Sequence, residues 1–385
     1  MNEKTLHILI IASWYKSNEQ PTSGSFIEEQ ARMLQNFGHK VTVVHPYLKG
    51  TFFGTLKNRT TEIKRENDEG IHTISIGVSP SIPKFRKWSY LKLYKKTEKQ
   101  IKDYILKNGV PDLIHSHALF MGGVIGMNLS KKLRIPQFHT EHTSGLIFQP
   151  EQYTKSDIHL LKEVYTHCKK VFFVSEFAKN KITQAFELKN ENFAIIHNVV
   201  DSMFFNSIPQ TINSPSKFLV VGNIIPRKNH VLLINAWKMY SSIHTDSTLT
   251  IAGEGENLIE LIALAEELKI NQSINWFGKQ NRMEVKQLIN EHHVVLSTSK
   301  LETFGLTVAE AIASGKPVVV TDSGGVKDII NTSNGIITGQ SVESFCSGLL
   351  TMKKNFDKYN SQKNQEEAKL KFSEEAIYTI LKAYY

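Results

Sequence analysis

Cysteine is almost absent from this chain, and its other scarcities exclude further classes of protein. Cys168 and Cys346 are the only cysteines. Two distant thiols cannot form a disulfide framework or a four-cysteine zinc site, so we expect a reducing compartment. Long apolar runs are missing too, because the uncharged and largely apolar stretch 118–130 is well short of the ~20 apolar residues that span a bilayer. We therefore expect a cytoplasmic protein, either soluble or peripheral on the inner face of the cell membrane.

The apolar run near the start of the chain lacks the features of a targeting segment. Residues 6–12 follow Glu3 and Lys4, and no convincing small-residue cleavage site comes after them. We interpret the run as a buried first strand, not as a signal peptide.

Acidic residues are outnumbered by basic ones. Lys and Arg total 46 against 37 Asp and Glu, which leaves a formal net charge of +9. The surplus indicates an anionic partner, and composition leaves nucleic acid, a lipid surface and a phosphorylated substrate open. The remaining composition, 41% apolar and 22% charged, is typical of a globular protein and excludes a disordered or collagenous one.

Short β-branched or apolar runs alternate with helical segments along the whole chain. This alternation predicts βαβ units, parallel sheets and an α/β fold. The predicted strands are residues 6–12, 40–45, 70–76, 113–117, 137–140, 171–175, 194–196, 217–222, 249–253, 274–277, 293–297, 317–321 and 335–337.

The stretch 201–217 is rich in Ser, Asn and Pro and has no sustained period, and a buried strand pattern restarts directly after it. We place a domain boundary near residues 205–216. The prediction is a first α/β domain over 1–205, a second over 206–370, and a C-terminal helix over 371–385 that packs back on the first domain.

Glu302 and Glu310 carry the strongest chemical signal in the sequence. A predicted strand ends just before Glu302, and a helix that contains Glu310 starts near Gly305. The free amides and the dipole of a helix start attract an anion. Two carboxylates beside such a site suit a nucleotide sugar, with phosphates on the amides and hydroxyls on the carboxylates. The alternative is a capped amphipathic helix with two solvated acids.

The surrounding residues favour the first interpretation. Residues 299–319 closely resemble the Glu-x(7)-Glu signature of family 4 glycosyltransferases, which are retaining enzymes. Residues 220–229 resemble that family's basic loop, 251–255 its glycine turn, and 322–328 its late glycine pair. The match covers most of residues 217–340 in the family's order, whereas the N-terminal half matches more loosely.

The resemblance implies the GT-B fold, in which two Rossmann-like, doubly wound α/β domains face each other across a cleft. The first domain, 1–205, would bind the acceptor. The second, 206–370, would bind the nucleotide sugar.

The resemblance also implies roles for single residues. Glu302 matches the acid that contacts the donor sugar near its reacting face, and Glu310 the acid that binds the ribose diol. Lys228 matches the lysine on the diphosphate, where a fixed cation stabilises the charge that grows on the leaving group. The backbone amides that hold sugar hydroxyls and the distal phosphate correspond to Phe304, Gly305 and Leu306.

The chain departs from the family pattern at several positions. The family usually has arginine directly after the glycine at position 222, and this chain has Asn223. Arg227 is the candidate replacement for that cation. The common Asn-Gly-Val-Asp near the domain junction reads Asn-Val-Val-Asp at 198–201, and the acid after the late glycine pair is Asp328. The predicted donor-binding set is Gly24, Gly222, Asn223, Arg227, Phe304, Gly305, Leu306 and Glu310.

A glycine-bearing loop precedes the first predicted helix. Residues 23–26 resemble the family loop that faces the donor phosphates and the acceptor, and Ser25 is assigned to the acceptor side. Many members have two adjacent glycines there, whereas this chain has Gly24 alone. A simple turn is the alternative.

Histidines cluster at two predicted strand ends. His115 and His117 end one strand, and His139 and His142 come at the end of the next. Four histidines could indicate a zinc hydrolase, but no His-Glu-x-x-His helix accompanies them. The resemblance instead places His117 at the family's cleft histidine, a catalytic position with Glu302 and Lys228. Three residues are assigned to the acceptor side: His139, Glu141 and His142. No metal and no cofactor are expected.

A basic amphipathic helix is predicted over residues 84–107, with nine Lys or Arg against two acids. Its predicted apolar stripe is Trp88, Leu91, Tyr94, Ile101 and Ile105. Such a helix fits an anionic membrane surface, and the alternative is an ordinary helix packed on the sheet with its lysines in water. No RNA-recognition module is seen, so nucleic acid is not expected.

The sequence therefore predicts a retaining glycosyltransferase that moves a sugar from a nucleotide diphosphate sugar to a glycan or lipid-linked acceptor. By family analogy the pathway is surface polysaccharide or envelope glycolipid synthesis. A nucleotide-sugar epimerase or hydrolase of the same architecture and a non-catalytic donor-binding subunit are the alternatives. The residues do not distinguish a uridine from a guanosine donor.

Overall fold

The computed structural model describes residues 4–16, 23–48, 61–68, 70–79, 86–189, 192–206 and 214–385. The chain forms two compact units. Unit 1 consists of Met1–Val174, Lys179–Ile196 and Tyr378–Tyr385, and unit 2 consists of Ser175–Ala178 and His197–Ile377.

Unit 1 is built on an eight-stranded sheet. Its strands are β1 (His7–Ala12), β2 (Lys40–Leu48), β3 (Thr61–Asp68), β4 (Ile71–Val78), β5 (Leu113–His117), β6 (Gln137–Glu141), β7 (Lys170–Phe173) and β8 (Phe193–Ile195). The order across the sheet is β3-β4-β2-β1-β5-β6-β7-β8. Both neighbours of β1 are parallel to it. Strands β2 and β4 lie on one side of β1, and β5 to β8 follow on the other side, as in a doubly wound fold.

The edge strand β3 corrects the prediction of purely parallel sheets, because it pairs antiparallel with β4. No strand was predicted in this segment. Its one apolar residue, Ile63, is 40% exposed, so the segment has no buried-strand pattern. Its backbone pairs with β4, and its charged side chains are typical of edge strands that avoid further pairing.

The helices of unit 1 cover both faces of this sheet. They are α1 (Ser25–Asn36), α2 (Arg86–Asn108), α3 (Val124–Leu133), α4 (Gly145–Phe148), α5 (Lys155–His167) and α6 (Glu176–Ala185), of which α6 contributes residues to both units. One core cluster joins Leu9, Ile74 and Ile114 of the sheet to Leu93 and Ile101 of α2.

Unit 2 has a second α/β sheet, whose six strands are all parallel. Its strands are β9 (Lys217–Val221), β10 (Thr248–Ala252), β11 (Ile274–Phe277), β12 (Val294–Ser297), β13 (Val318–Thr321) and β14 (Gly335–Thr338). Its helices are α7 (His230–Ser241), α8 (Leu258–Glu267), α9 (Arg282–Glu291), α10 (Leu306–Ala313), α11 (Val342–Lys354), α12 (Ser361–Phe372) and α13 (Glu374–Lys382), of which α13 contributes to both units. The strand order is β11-β10-β9-β12-β13-β14.

This order places a reversal between β9 and β12. In open parallel sheets, ligands bind outside the carboxyl ends of the strands at such a point. The loops that follow β9, β12 and β13 therefore meet at one edge of unit 2.

The chain passes from one unit to the other more than once. Unit 2 begins again at His197, before the predicted 205–216 boundary. The final segment that belongs to unit 1 starts at Tyr378, within the predicted 371–385 helix. Phe37 stacks on Tyr378 at 3.9 Å between ring centroids, and His39 Nε2 lies 3.0 Å from its hydroxyl.

Helix α2 forms where the basic amphipathic helix was predicted, but its buried face differs from the predicted stripe. Leu93, Thr97, Ile101 and Tyr104 are buried, whereas Leu91 is 44% exposed. The predicted stripe was therefore wrong toward the helix start. The side chain of Trp88 lies outside the described residues, as do residues 84 and 85. In the described part of the chain, no helix is both long enough and apolar enough to cross a bilayer.

Buried histidines in both units make the free energy of unfolding depend on pH. Burial lowers the pKa of His45 from 6.5 to about 4. Burial and then Lys228 lower the pKa of His230 to about 4 as well. The unfolded chain therefore takes up protons below pH 6.5 that the folded chain does not bind.

We expect the melting temperature to fall as the pH drops from about 6.5 toward about 4, because each such histidine costs up to ~1.4 kcal/mol per pH unit. His45→Phe keeps an aromatic ring between Tyr15 and Tyr47 and should flatten this slope. The exposed His159 provides the matched control, His159→Phe. Melting curves from pH 7.5 to 5 measure the slopes, and an unchanged slope in His45→Phe would contradict the assignment.

Candidate active site

Glu302 lies in the loop between β12 and α10, and the backbone holds this loop against the loop after β13. The Glu302 amide donates to the Ser323 carbonyl at 2.8 Å, and the Gly325 amide donates to the Glu302 carbonyl at 3.0 Å. A Cβ at Gly325 would collide with the backbone of Thr303. The glycine pair after β13 is therefore needed for the close approach that fixes Glu302.

The Glu302 carboxylate is buried and holds two cations. Lys228 Nζ donates to its Oε1 at 2.5 Å, and Arg227 Nη1 donates to its Oε2 at 3.3 Å. Ser299 Oγ also donates to Oε1, at 2.7 Å. Burial alone would raise the pKa of Glu302, but Lys228 and Arg227 outweigh it and hold the pKa below its ordinary value. Glu302 is therefore ionised at neutral pH.

A short 3-10 turn, Pro226–Lys228, positions both cations after β9. The Lys300 amide donates to the Arg227 carbonyl at 2.9 Å, and Thr298 Oγ1 donates to the Lys228 carbonyl at 3.0 Å. Arg227 Nη1 also donates to the Leu301 carbonyl at 3.0 Å. The loops after β9 and β12 are therefore joined by both backbone and side-chain bonds. The side chain of Asn223 is exposed, whereas Arg227 lies beside Lys228 on Glu302.

Glycines allow the loop after β9 to pack against the loop after β10. The Gly222 amide donates to the Ala252 carbonyl at 3.0 Å, and the backbone of Gly222 has φ +152°. A Cβ at Gly253 would collide with the Gly222 carbonyl. The predicted donor-binding Gly222 thus has a backbone role at the base of the Lys228 loop.

The start of α10 offers backbone donors. Gly305 precedes the helix with φ +103°, a conformation that favours glycine. In the described part of the chain, the amides of Phe304, Gly305 and Leu306 have no carbonyl or side-chain acceptor. Phe304 itself is buried and packs edge-on against Phe372, which anchors the loop from below. The predicted amides are therefore available to an anion.

Glu310, one turn into α10, is buried and paired with Arg282. Arg282 Nη1 donates to Glu310 Oε1 at 2.5 Å, and its Nη2 lies 3.8 Å from Asp201 Oδ2. The guanidinium also lies over the ring of Phe204, 5.2 Å from the centroid. Burial raises the pKa of Glu310, and Arg282 opposes that rise.

Arg282 is a site residue that sequence reasoning missed. It is the first residue of α9, whose start has a capping box between Asn281 and Glu284. That box marks the helix start in the sequence, and α9 begins after the carboxyl end of β11, where site residues collect. The box is the one signal that could have drawn attention to Arg282.

Asp201, which matches the family pattern, and Asp328, which departs from it, are both used as local caps. Asp201 Oδ1 accepts from the Met203 amide at 2.9 Å. Asp328 Oδ2 accepts from the Glu176 amide at 2.6 Å, at the first residue of α6.

In unit 1 the histidines of β5 and β6 form one buried layer. The rings of His115 and His117 stack at 4.6 Å with an interplanar angle of 8°. His117 Nδ1 lies 3.1 Å from His142 Nε2, and His139 Nδ1 lies 2.9 Å from Ser116 Oγ. The structure thus brings the predicted His117, His139 and His142 into one region.

His117 has an unused ring nitrogen. Its Nε2 is buried and has no hydrogen-bond partner in the described part of the chain. Burial, and then the neighbouring His115 and His139, lower the pKa of His117 well below its ordinary value. A neutral imidazole with one free nitrogen can bind a hydroxyl group of a substrate.

Glu141 lies beneath this layer and has no free oxygen. Its Oε2 accepts from the Tyr165 hydroxyl at 2.9 Å and lies 3.2 Å from His139 Nε2. Its Oε1 accepts from the amides of His142 and Thr143 at 3.0 and 2.8 Å. Burial would raise its pKa, but His139 and Thr143 lower it to about 2. Glu141 therefore orients His139 and the loop after β6.

The glycine loop before α1 lies beside the same layer. Gly24 caps α1 with φ +69°, and a Cβ there would collide with the Trp14 carbonyl. Ser25 is the first residue of α1 and is half-buried, and the ring of Phe26 lies 4.4 Å from that of His142. Phe26, which follows Gly24 and Ser25 in the chain, thus contacts the ring of His142.

The four histidines do not form a metal centre in the described residues. They bond to one another and to Ser, Thr and Glu side chains. Within the described ranges, no group of three or more His, Cys, Asp or Glu could hold a metal ion.

Two protein families match this chain along most of its length. The family described as glycosyltransferase family 4 matches residues 23–203, and that described as glycosyl transferases group 1 matches residues 205–369. These matches fall on unit 1 and unit 2 in turn.

Curated relatives agree with these families. An uncharacterized glycosyltransferase of Methanocaldococcus jannaschii is 30% identical over 67% of this chain and 68% of its own length. The alpha-monoglucosyldiacylglycerol synthase of Acholeplasma laidlawii is 26% identical over 74% of this chain and 73% of its own length.

Solved structures show the same fold. Anabaena HepE, crystallised with UDP and glucose, superposes with a TM-score of 0.74 at 18% identity, covering 98% of both chains. The lipopolysaccharide outer core galactosyltransferase WaaB superposes with a TM-score of 0.71 at 18% identity, again over 98% of both chains. The two Rossmann-like sheets confirm the predicted fold class. This chain belongs to the glycosyltransferases of the family 4 type, with the GT-B fold.

Proposed function

We propose that this glycosyltransferase moves a sugar from a nucleoside diphosphate sugar to a glycan or lipid-linked acceptor, with retention of the anomeric configuration. In this proposal unit 2 binds the donor and unit 1 binds the acceptor. The observation that carries the proposal is the arrangement of Lys228 and Arg227 on one buried carboxylate, Glu302.

The charges of this cluster suit a diphosphate. Two cations and one carboxylate leave a net positive charge at the carboxyl end of β9. The free amides at the start of α10 follow Glu302 directly and add further donors for phosphate or sugar oxygens. Glu310 would accept hydrogen bonds from the ribose diol, in competition with its present partner Arg282.

The proposed reaction breaks the bond between the anomeric carbon and the diphosphate oxygen. The electron pair stays on that oxygen, where Lys228 and Arg227 stabilise the new negative charge. The same oxygen takes the proton of the acceptor hydroxyl, whose oxygen then bonds to the anomeric carbon on the face that the diphosphate left. In this proposal the two side-chain cations supply the charge that a metal ion supplies elsewhere, so we expect chelators to leave transfer unchanged.

The acceptor class follows from relatives and is part of the proposal. The Acholeplasma relative is named for a glucosylated diacylglycerol, and WaaB for the lipopolysaccharide outer core. We therefore propose a role in surface polysaccharide or envelope glycolipid synthesis. His117 Nε2 would bind a hydroxyl group of a sugar in that reaction.

Lys228→Ala should lower kcat for sugar transfer roughly 10²–10³-fold, because it removes a fixed cation from the leaving group. Glu302→Gln should lower kcat as well, since it removes the acid at the reacting face. A thermal-shift screen of UDP- and GDP-sugars selects the donor, because a bound donor raises apparent stability. Transfer of labelled sugar to glycan and lipid acceptors then measures kcat.

Lys300→Ala is the matched control, because this lysine is exposed and lies two residues from Glu302. Its kcat should equal that of the wild type. Near-normal turnover in Lys228→Ala would contradict the proposal. Release of free sugar or an epimer, with no transfer to any acceptor, would favour an epimerase or hydrolase instead.

We also propose that α2 places unit 1 on an anionic membrane surface. Its exposed face carries Lys95, Lys96, Lys99 and Lys102. Leu106, near its end, is 86% exposed. Cations around an exposed apolar side chain are the features of an interfacial helix.

Replacing Lys95, Lys96 and Lys99 by Gln should weaken binding to vesicles that contain anionic lipid by at least tenfold, since each cation near the surface contributes about 1 kcal/mol. Co-sedimentation with phosphatidylglycerol-containing and pure phosphatidylcholine vesicles measures it. A control with the same charge loss in unit 2 replaces three exposed lysines, Lys358, Lys369 and Lys371. Equal binding to both kinds of vesicle would rule the membrane proposal out.

A further inference from the structure

The end of the described chain inserts an aromatic side chain under the histidine layer of unit 1. After α13 the chain turns, and the Tyr385 amide donates to the Leu381 carbonyl at 3.2 Å. The Tyr385 ring lies 5.1 Å from that of Phe138 and meets the His115 ring edge-on at 5.8 Å. Its hydroxyl is hydrogen bonded to His115 Nδ1. A residue distant in sequence thus contacts the base of the candidate active site.

His115 is held at both of its ring nitrogens. Its Nε2 lies 2.7 Å from Thr140 Oγ1, and its Nδ1 lies 3.3 Å from the side-chain amide nitrogen of Gln30. With the Gln30 amide oriented so that its nitrogen faces the ring, Nδ1 is the acceptor of this contact, because an amide nitrogen only donates. The Tyr385 hydroxyl then donates to Nδ1 as well. The ring proton is left on Nε2, from which it is donated to Thr140.

The orientation of His115 is passed on to His117 by stacking. The two rings are nearly parallel at 4.6 Å, and His117 bonds to His142 through Nδ1. His117 Nε2 is the nitrogen without a partner in the described residues. The plane in which that nitrogen lies is therefore set by the ring beneath it.

We propose that Tyr385 is a positioning residue for His117: by donating to His115 Nδ1, it holds His115 as a neutral ring of one tautomer on which His117 stacks. Only the catalytic role of His117 in this proposal rests on the proposed function. The contacts that define the tautomer are independent of it.

The charge state of His115 matters to His117. If His115 became protonated, its positive charge beside His117 would change the proton affinity of the His117 ring. Burial, and then His139 and His142, lower the pKa of His115 well below its ordinary value. The titratable groups that face this pair are Tyr385 from the chain end, His139 from β6 and His142 from the following loop. Removing the hydroxyl takes away one of the two donors that keep Nδ1 unprotonated.

Tyr385→Phe tests the proposal, because it keeps the ring packing and removes the hydroxyl. Nitrogen-15 spectra of histidine-labelled protein should show the wild-type His115 with its proton on Nε2 and no titration between pH 8 and 5.5. In Tyr385→Phe the His115 signals should change tautomer or begin to titrate in this range. The acid limb of the kcat profile should move to higher pH. The value of kcat at pH 7 should fall about fivefold, the equivalent of one hydrogen bond, with the donor KM unchanged.

Tyr384→Phe is the matched control. Tyr384 is 38% exposed and packs edge-on against Phe172, so its loss should leave the spectra and the pH profile unchanged. Spectra and profiles of Tyr385→Phe that superpose on those of Tyr384→Phe would overturn the proposal.

A second variant keeps the proposal testable if Tyr385→Phe does not fold. Gln30→Met removes the other donor to Nδ1, and the same change of tautomer is expected. Wild-type spectra with His115 protonated on Nδ1 would also overturn the proposal. If the wild type transfers sugar to no acceptor while the spectra behave as expected, the proposed function fails and the positioning of His115 stands.

Discussion

The ion cluster of Glu302 with Lys228 and Arg227 is the interaction on which the site in unit 2 depends. A carboxylate this buried would be protonated without cations, and the cations would repel each other without the carboxylate. The cluster exists because three glycine-bearing loops approach closely at the carboxyl ends of β9, β12 and β13. The fold thus places two cations at one sheet edge before any substrate arrives, which is the preorganisation that electrostatic catalysis requires.

The candidate site residues of unit 1 differ from this ion cluster, because they are mainly neutral histidine rings. Burial lowers the pKa of His115, His117 and His142 well below its ordinary value, so these three rings are neutral at neutral pH. Both carboxylate oxygens of Glu141 are hydrogen bonded to His139, to Tyr165 and to the loop after β6. A neutral His117, whose Nε2 has no partner in the described residues, can bind a hydroxyl group without adding charge. Under the proposed function, the cations would lie at the leaving group in unit 2, and the histidine that meets the acceptor in unit 1 would be neutral.

The sequence predicted those candidate site residues that stand in recognisable motifs. It missed those that join the site only through contacts in the folded chain. Glu302, Glu310 and Lys228 stand in motifs, and the structure places Lys228 on Glu302. Arg282 looks like any charged residue in a first helical turn, and its contact with Glu310 depends on how α9 packs beside α10. Tyr385 reaches His115 across 270 positions, which no local pattern reports. The exposed edge strand β3 was missed because it buries no apolar face.

Binding of free nucleoside diphosphate tests the cation cluster most directly, because it needs no acceptor. Calorimetric titration with UDP and GDP, and with the monophosphates for comparison, should show that Lys228→Ala weakens diphosphate binding at least tenfold with little effect on the monophosphates. Glu302→Gln should instead bind the diphosphate several-fold more tightly than the wild type, because it releases both cations from a competing carboxylate, while its transfer activity is lost. If Lys228→Ala binds the diphosphate as tightly as the wild type does, the cluster does not hold the leaving group and the account is contradicted.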